Sequence, residues 1–101
     1  MQASCSFNGP VAVVSLTGRF DFNSHRVFRE AIDKGLAEPN VRQLTIDFKS
    51  VDYIDSSALG MLMLLKEKAD MARKQVTLSN CSGVARQVLD IANFSKLFTM
   101  E

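Results

Sequence analysis

Apolar and polar positions along the chain repeat with two periods, one typical of strands and one typical of helices. Two short apolar segments, residues 3–7 and 11–16, flank the turn residues Asn8-Gly9-Pro10. Gly and Pro between two such segments favour a tight reversal of the chain. The pattern therefore predicts an N-terminal β-hairpin.

The next segment changes to helical spacing. From residue 24 to about 38, apolar side chains recur three and four positions apart, and Asn23 or Ser24 is the expected N-cap. The expected buried face consists of Phe28, Ala31, Ile32, Gly35 and Leu36. After Pro39-Asn40, residues 41–48 alternate and predict a strand. This strand directs Leu44, Ile46 and Phe48 to the core.

The remaining chain predicts a helix to about residue 74, a strand at 76–78 and a last helix with Ser82 as its cap. The apolar stripe expected on that last helix is Val84, Val88, Ile91 and Ala92. Alternating strands and helices require right-handed crossovers. We therefore expect an α/β fold with a mixed, mainly parallel sheet and about four helices.

Composition narrows the function classes. The chain has 101 residues and a formal net charge of +1, and its Lys and Arg residues form no stripe that would follow a nucleic acid backbone. Cys5, Cys81 and the single His25 are too scattered for a metal site or a disulfide framework. No segment has the pattern of a signal peptide or membrane span. We expect one domain over residues 1–101, in the cytoplasm, with no cofactor, metal, direct nucleic acid contact or membrane insertion.

The strand at 41–48 leads into Asp55-Ser56-Ser57, directly before the second helix. A helix start leaves backbone N–H groups without partners and carries partial positive charge. A hydroxyl at this point caps the helix, and a phosphoryl group there is electrostatically favourable. In a mainly parallel sheet, the loop at 18–21 is expected to lie at the same edge. The pattern indicates a modifiable serine in a switch.

The second helix has an uneven polarity. Ala58, Leu62, Leu65, Ala69 and Ala72 form an apolar stripe that we expect to be buried. The opposite side would then carry Gly60, Met63, Leu64, Glu67, Met71 and Lys74. Exposed apolar side chains beside a modifiable serine predict a partner surface, whereas packing of the methionines under a neighbouring element is the structural alternative. The contact residues predicted from this face are Ser57, Gly60, Met63, Leu64 and Glu67.

Two motifs together resemble the STAS family, specifically its single-domain anti-sigma factor antagonists. They are Asp55-Ser56-Ser57-Ala58-Leu59-Gly60 after a strand and Leu16-Thr17-Gly18-Arg19-Phe20-Asp21 before the first helix. The resemblance covers nearly the whole chain, and one departure is Ala58 where the family commonly has Gly. A first helical turn needs only negative φ, so this departure leaves the switch intact.

The resemblance implies partners and site roles. In that family an anti-sigma factor that is also a serine kinase phosphorylates the serine after the aspartate, and a metal-dependent serine phosphatase reverses it. By position this serine is Ser56, with Ser57 as the rival, while Asp55 and Asp21 would support the switch loop. The unphosphorylated form would bind the anti-sigma factor and release a sigma factor. We expect the free protein to be a monomer.

The same sequence features are compatible with other functions. The serious alternative is a binding subunit that does not switch, for example the cytoplasmic partner of a transporter, in which Ser56 only caps the helix and contacts the partner. A serine hydrolase would need a base near Ser56 and a Gly-x-Ser-x-Gly elbow, and neither is evident. No Gly-rich phosphate loop favours a nucleotide enzyme. We therefore expect a protein without catalytic activity.

Overall fold

The computed structural model describes residues 1–101 as five strands and three α-helices, with two short 3₁₀ turns. The strands are β1 (Gln2–Asn8), β2 (Val11–Phe20), β3 (Gln43–Ile54), β4 (Gln75–Ser79) and β5 (Thr99–Met100). The helices are α1 (His25–Ala37), α2 (Ser56–Met71) and α3 (Gly83–Ile91). The 3₁₀ turns lie at Phe22–Ser24 and Phe94–Lys96. The α/β class is confirmed, with three α-helices and two 3₁₀ turns in place of about four helices.

The strands form one sheet in the order β1-β2-β3-β4-β5. The hairpin is confirmed, because β1 and β2 pair antiparallel from Asn8↔Val11 to Gln2↔Thr17. Gly9 takes the positive φ of +60° that this tight turn requires. All later pairings are parallel, as the alternation of strands and helices predicts. The sequence did not indicate β5, which extends the sheet by two residues.

Residues from all three helices and from β2, β3 and β4 form a single hydrophobic core. The strand residues predicted to face it, Leu44, Ile46 and Phe48, are fully buried. Their neighbours Gln43 and Thr45 lie on the other face of the sheet, where the Gln43 amide donates to the Thr45 hydroxyl at 3.1 Å. The alternation along β3 therefore separates a core face from a polar face.

The face of α3 differs from the prediction. The buried side chains are Ala85 and Leu89, whereas Val84 and Ile91 are 51% and 83% exposed. Val88 and Ala92 of the predicted stripe are partly buried against the core, so the prediction holds for these two residues and is wrong for Val84 and Ile91. Apolar residues occur on two adjacent stripes of this short helix, and its packing buries most deeply the stripe next to the predicted one. Ser82 does occupy the N-cap position, but its side chain makes no capping hydrogen bond.

The end of α2 also differs from the prediction. The helix ends at Met71, so Ala72 is exposed rather than part of the buried stripe. Lys74 does not point into solvent, because its Nζ donates to the carbonyls of Gly35, Leu36 and Glu38 at 3.3, 2.9 and 2.7 Å. These contacts satisfy carbonyls at the end of α1, where a positive charge is favourable.

None of the helices combines the length and the apolar character needed to span a membrane.

Candidate partner-binding site

The ends of β2 and β3 meet at one edge of the sheet. Phe20 and Ile54 are paired in the parallel register, and the Asp55 N–H donates to the Phe20 carbonyl at 3.3 Å. Asp21 and Asp55 therefore follow two adjacent strand ends. This confirms the expectation from sequence that the two loops lie at the same edge.

Asp55 is the cap of α2. Its backbone is extended, with φ −120° and ψ −177°, and its Oδ1 accepts a hydrogen bond from the Ala58 N–H at 3.0 Å. The Asp55 carboxylate thus caps the helix, whereas the sequence predicted a serine hydroxyl in this role. Neither Ser56 nor Ser57 uses its hydroxyl in a hydrogen bond within the chain. Both hydroxyls are free of a structural role.

The two serines differ in exposure. Ser56, the first residue of α2, is exposed, whereas Ser57 is half-buried. The backbone N–H groups of Ser56 and Ser57 have no acceptor within the chain, as is usual in a first helical turn. An exposed hydroxyl therefore lies beside two amide donors and the positive end of the helix dipole.

Asp21 caps the helical segment that follows the neighbouring strand, β2. Its Oδ1 accepts from the Asn23 N–H at 3.0 Å, and its own N–H donates to the Ser24 hydroxyl at 3.1 Å. This reciprocal pair is a capping box that starts the 3₁₀ turn leading into α1. Ser24 occupies the N-cap position of α1, as one of the two predicted residues, but its side chain makes no capping hydrogen bond to that helix. Ser24 is only 1% exposed, and its hydroxyl contributes to fixing the loop.

One cation lies at this edge. The guanidinium of Arg19 stacks 4.1 Å from the centre of the Tyr53 ring, and its Nε is 3.7 Å from a carboxylate oxygen of Asp21. The Arg19 side chain is 62% exposed, so this ion pair contributes little to stability. It does place a positive charge beside the Asp21 carboxylate.

The outer side of α2 carries the surface predicted from its polarity. Met63 and Leu64 are 43% and 45% exposed, and Gly60 and Glu67 are also exposed. A Cβ atom added at Gly60 would meet nothing within 4 Å, so another molecule can approach the backbone there. We call Ser56, Ser57, Gly60, Met63, Leu64 and Glu67 the α2 surface. The methionine here is not packed under another element.

Phe22 is an exposed residue that the sequence did not single out. Its ring is 67% exposed directly after Asp21, at the edge that also holds the start of α2. The signal that could have identified it is an aromatic residue between a capping aspartate and an amphipathic helix. His25, which begins α1, is exposed, and nowhere in the chain do three His, Cys, Asp or Glu side chains converge as metal ligands would.

Comparison with known proteins gives the family. Residues 4–99 match the family model described as "Mlab, STAS domain". A STAS-domain containing protein of Pseudomonas aeruginosa (strain UCBPP-PA14) is 41% identical over 93 residues, which cover 92% of this chain and 90% of that protein. The chain therefore belongs to the STAS domain family, as its motifs predicted.

Solved structures of low sequence identity share the fold. An anti-sigma factor antagonist from Mycobacterium paratuberculosis superposes with a TM-score of 0.85 at 21% identity, covering 98% of this chain and 83% of that one. The unphosphorylated anti-sigma factor antagonist SpoIIAA gives 0.75 at 17% identity, covering 98% and 86%. A sulfate transporter family protein from Wolinella succinogenes also gives 0.75, at 18% identity, covering 90% and 73%. The fold is thus shared by anti-sigma factor antagonists and by a protein of the sulfate transporter family.

Proposed function

We propose that this protein is an anti-sigma factor antagonist whose binding is switched off by phosphorylation of Ser56. The observation that carries the proposal is the exposed Ser56 hydroxyl at the start of α2, which has no structural role and adjoins the exposed apolar residues of the α2 surface. A kinase can reach this hydroxyl without unfolding the domain. Ser57 is the rival, and its partial burial makes it the less accessible group.

In the unphosphorylated state, the α2 surface would dock on the anti-sigma factor. Met63 and Leu64 offer apolar contact area, and Gly60 allows close approach of the partner's backbone. The partner in this scheme is an anti-sigma factor that is also a serine kinase. Its capture releases the sigma factor, so transcription is controlled without contact between this protein and DNA.

Phosphorylation would transfer the γ-phosphoryl group of ATP to the Ser56 Oγ. The new O–P bond forms as the bond to the β-phosphate bridging oxygen breaks, ADP leaves, and the hydroxyl proton passes to a base of the kinase. The modified group carries a charge of about −1.5 to −2 at neutral pH. Within the free domain, the two unused amides and the helix dipole offset repulsion from Asp55.

At the interface the same group would lose its water without gaining a partner of opposite charge. An uncompensated buried charge costs about 3 kcal/mol or more, which corresponds to roughly a hundredfold loss of affinity. The modification therefore blocks docking locally and requires no change of fold. A metal-dependent serine phosphatase would restore binding by hydrolysing the phosphoserine, and this protein would act as a binding protein in the cytoplasm without catalysing a step itself.

The site of modification can be tested with serine variants. The protein would be incubated with ATP and candidate anti-sigma factor kinases, and phosphate would be located by mass spectrometry. We expect stoichiometric modification of the parent and of Ser57→Ala, and none of Ser56→Ala. Modification of Ser56→Ala at the parental rate would contradict the proposal, as would the absence of phosphate at Ser56 in protein isolated from its native cells during growth and starvation.

A transporter-associated subunit remains a second candidate, because a sulfate transporter family protein shares the fold over 90% of this chain. In that role Ser56 would contact the partner permanently and would not be modified. Purification of the protein in a stable complex with a membrane transporter, with Ser56 unmodified under all growth conditions, would favour this second function.

A further inference from the structure

Strand β1 is an open edge of the sheet. It is the first strand in the order β1-β2-β3-β4-β5, and seven consecutive residues, Gln2 to Asn8, pair with β2 without a bulge. Proteins usually protect such an edge with charged side chains, proline or a bulge. The sequence of β1, QASCSFN, contains no charged residue and no proline. This edge therefore offers an unprotected row of backbone hydrogen-bonding groups.

The hydrogen-bond pattern shows which groups face outward. The Pro10 carbonyl accepts from the N–H groups of Arg42 and Gln43, so the even-numbered residues of β2 bond to β3. The odd-numbered residues, such as Val11 and Val13, then bond to β1, where their partners are even-numbered. Ala3, Cys5 and Phe7 consequently direct their N–H and carbonyl groups away from the sheet.

We propose that β1 is a self-association site at which two copies of this chain pair antiparallel about a twofold axis at Cys5. Only this register pairs all three outward-facing residues, with Cys5 opposite Cys5 and Ala3 opposite Phe7 of the second copy. It forms about six backbone hydrogen bonds and joins the two sheets into one. A twofold axis makes the same surface serve both copies.

The side chains of β1 suit a second copy. In this register Ser4 lies opposite Ser6 and Gln2 opposite Asn8, so no like charges meet between the two strands, and the charged side chain that acts on Cys5 is Lys34 of α1. The Phe7 ring, 51% exposed in the single chain, packs beside the small Ala3 of the other copy. The interface is small, so we expect a dissociation constant above about 1 μM for the dimer. This proposal replaces the expectation of a free monomer.

The pairing is independent of the proposed function. β1 contributes no residue to the α2 surface, and Ser56 lies beyond the end of β3. Two copies joined through β1 would carry two switch serines in one particle. Failure of the switch would leave the dimer unaffected, and failure of the dimer would leave the switch unaffected.

Charged substitutions at Ser4 and Ser6, which lie opposite each other in the proposed dimer, test the register. Sedimentation over a concentration series is expected to show a monomer–dimer equilibrium for the parent and only monomer for the double variant Ser4→Lys with Ser6→Lys. The double variant Ser4→Glu with Ser6→Glu is also expected to be monomeric, and an equimolar mixture of the two is expected to form dimers. Phe22→Lys, which places a lysine at an exposed residue outside β1, is the control and keeps the parental equilibrium.

Cysteine cross-linking gives a second readout. A short bismaleimide at mildly alkaline pH is expected to link Cys81→Ser protein into dimers through Cys5, and to leave Cys5→Ser protein unlinked. The proposal is overturned if the parent remains monomeric at every concentration, if the Lys variant dimerises like the parent, or if cross-linked dimers form through Cys81 alone.

Discussion

At the scale of single residues, aspartate at a strand end determines how each loop of the site is built. Asp21 and Asp55 both use their carboxylates to accept backbone N–H groups at the start of the following helical segment. The Asp-Ser-Ser motif was readable from sequence, but which of its side chains caps the helix was not. That choice depends on backbone direction at the strand end, and the extended φ of Asp55 selects the carboxylate.

Removal of the Asp55 cap is expected to reduce the stability of the domain. We expect Asp55→Ala to lower the free energy of unfolding by about 1 kcal/mol, because the Ala58 N–H loses its acceptor. Asp55→Ser, which keeps a capping oxygen, should lose less. Urea denaturation measures both, with Asp52→Ala as an exposed control. Equal stability of Asp55→Ala and the parent would show that the cap has no energetic role.

The thiol of Cys81 predicts a pH dependence of stability. Burial raises its pKa from 9.0 to about 11, with a smaller opposing effect of Arg86. The unfolded chain therefore releases this proton more readily than the folded one. The contribution of Cys81 is fully present below pH 9.0 and is lost as pH rises toward about 11. Cys81→Ala should show a shallower decline across that window, and parallel stability profiles for parent and variant would contradict the prediction.

At the scale of elements, hydrophobic spacing predicted the order and type of every long strand and helix. It did not predict the buried face correctly where a helix carries two apolar stripes. Residues 83–91 carry apolar side chains on neighbouring stripes, so only packing against the sheet selects Ala85 and Leu89. The contacts of Lys74 join positions 36 to 39 residues apart, and no local pattern reports them. Strand β5 has two residues and no period to detect.

Two helical glycines provide a matched test of this packing. A Cβ at Gly35 would lie 3.1 Å from the Ala12 Cβ and 3.2 Å from Leu44 Cδ2, so α1 would have to move from the sheet. Overpacking of about 1–3 kcal/mol exceeds the gain of less than about 1 kcal/mol in helix propensity. We expect Gly35→Ala to lower the free energy of unfolding by about 1 kcal/mol.

Gly60→Ala should behave in the opposite way. No atom lies within 4 Å of the added Cβ, so α2 gains helix propensity of about 0.5–1 kcal/mol without a clash. The same variant reduces access to the backbone in the α2 surface. Chemical denaturation of both variants checks the pair, and stabilisation by Gly35→Ala would show that α1 is less tightly packed than the structure indicates.

At the scale of the whole molecule, the buried core and the proposed switch site occupy different parts of the fold. One continuous core supports the fold, while the carboxyl ends of β2 and β3 present Ser56 beside an exposed apolar surface. The location of this edge was predictable, since parallel strands place their following loops together. The exposure of Phe22 was not, because it depends on the capping box that turns the chain after Asp21.

This separation predicts that the switch leaves the fold unchanged. Protein phosphorylated at Ser56 should have the circular dichroism spectrum of the parent and a free energy of unfolding within about 1 kcal/mol of it, because a phosphate at a helix N-terminus is electrostatically favourable. Thermal and urea unfolding of both forms measure this difference. Loss of cooperative unfolding on phosphorylation would mean that the modification acts by disrupting the domain.

The most direct test is the affinity for the anti-sigma factor measured by calorimetry with unphosphorylated and stoichiometrically phosphorylated protein. The account predicts that phosphate at Ser56 weakens binding roughly a hundredfold or more. Ser56→Ala should bind like the unphosphorylated parent, and Ser56→Asp, which mimics the charge only in part, should bind more weakly than the parent. Equal affinity of the phosphorylated and unphosphorylated forms would contradict the central claim.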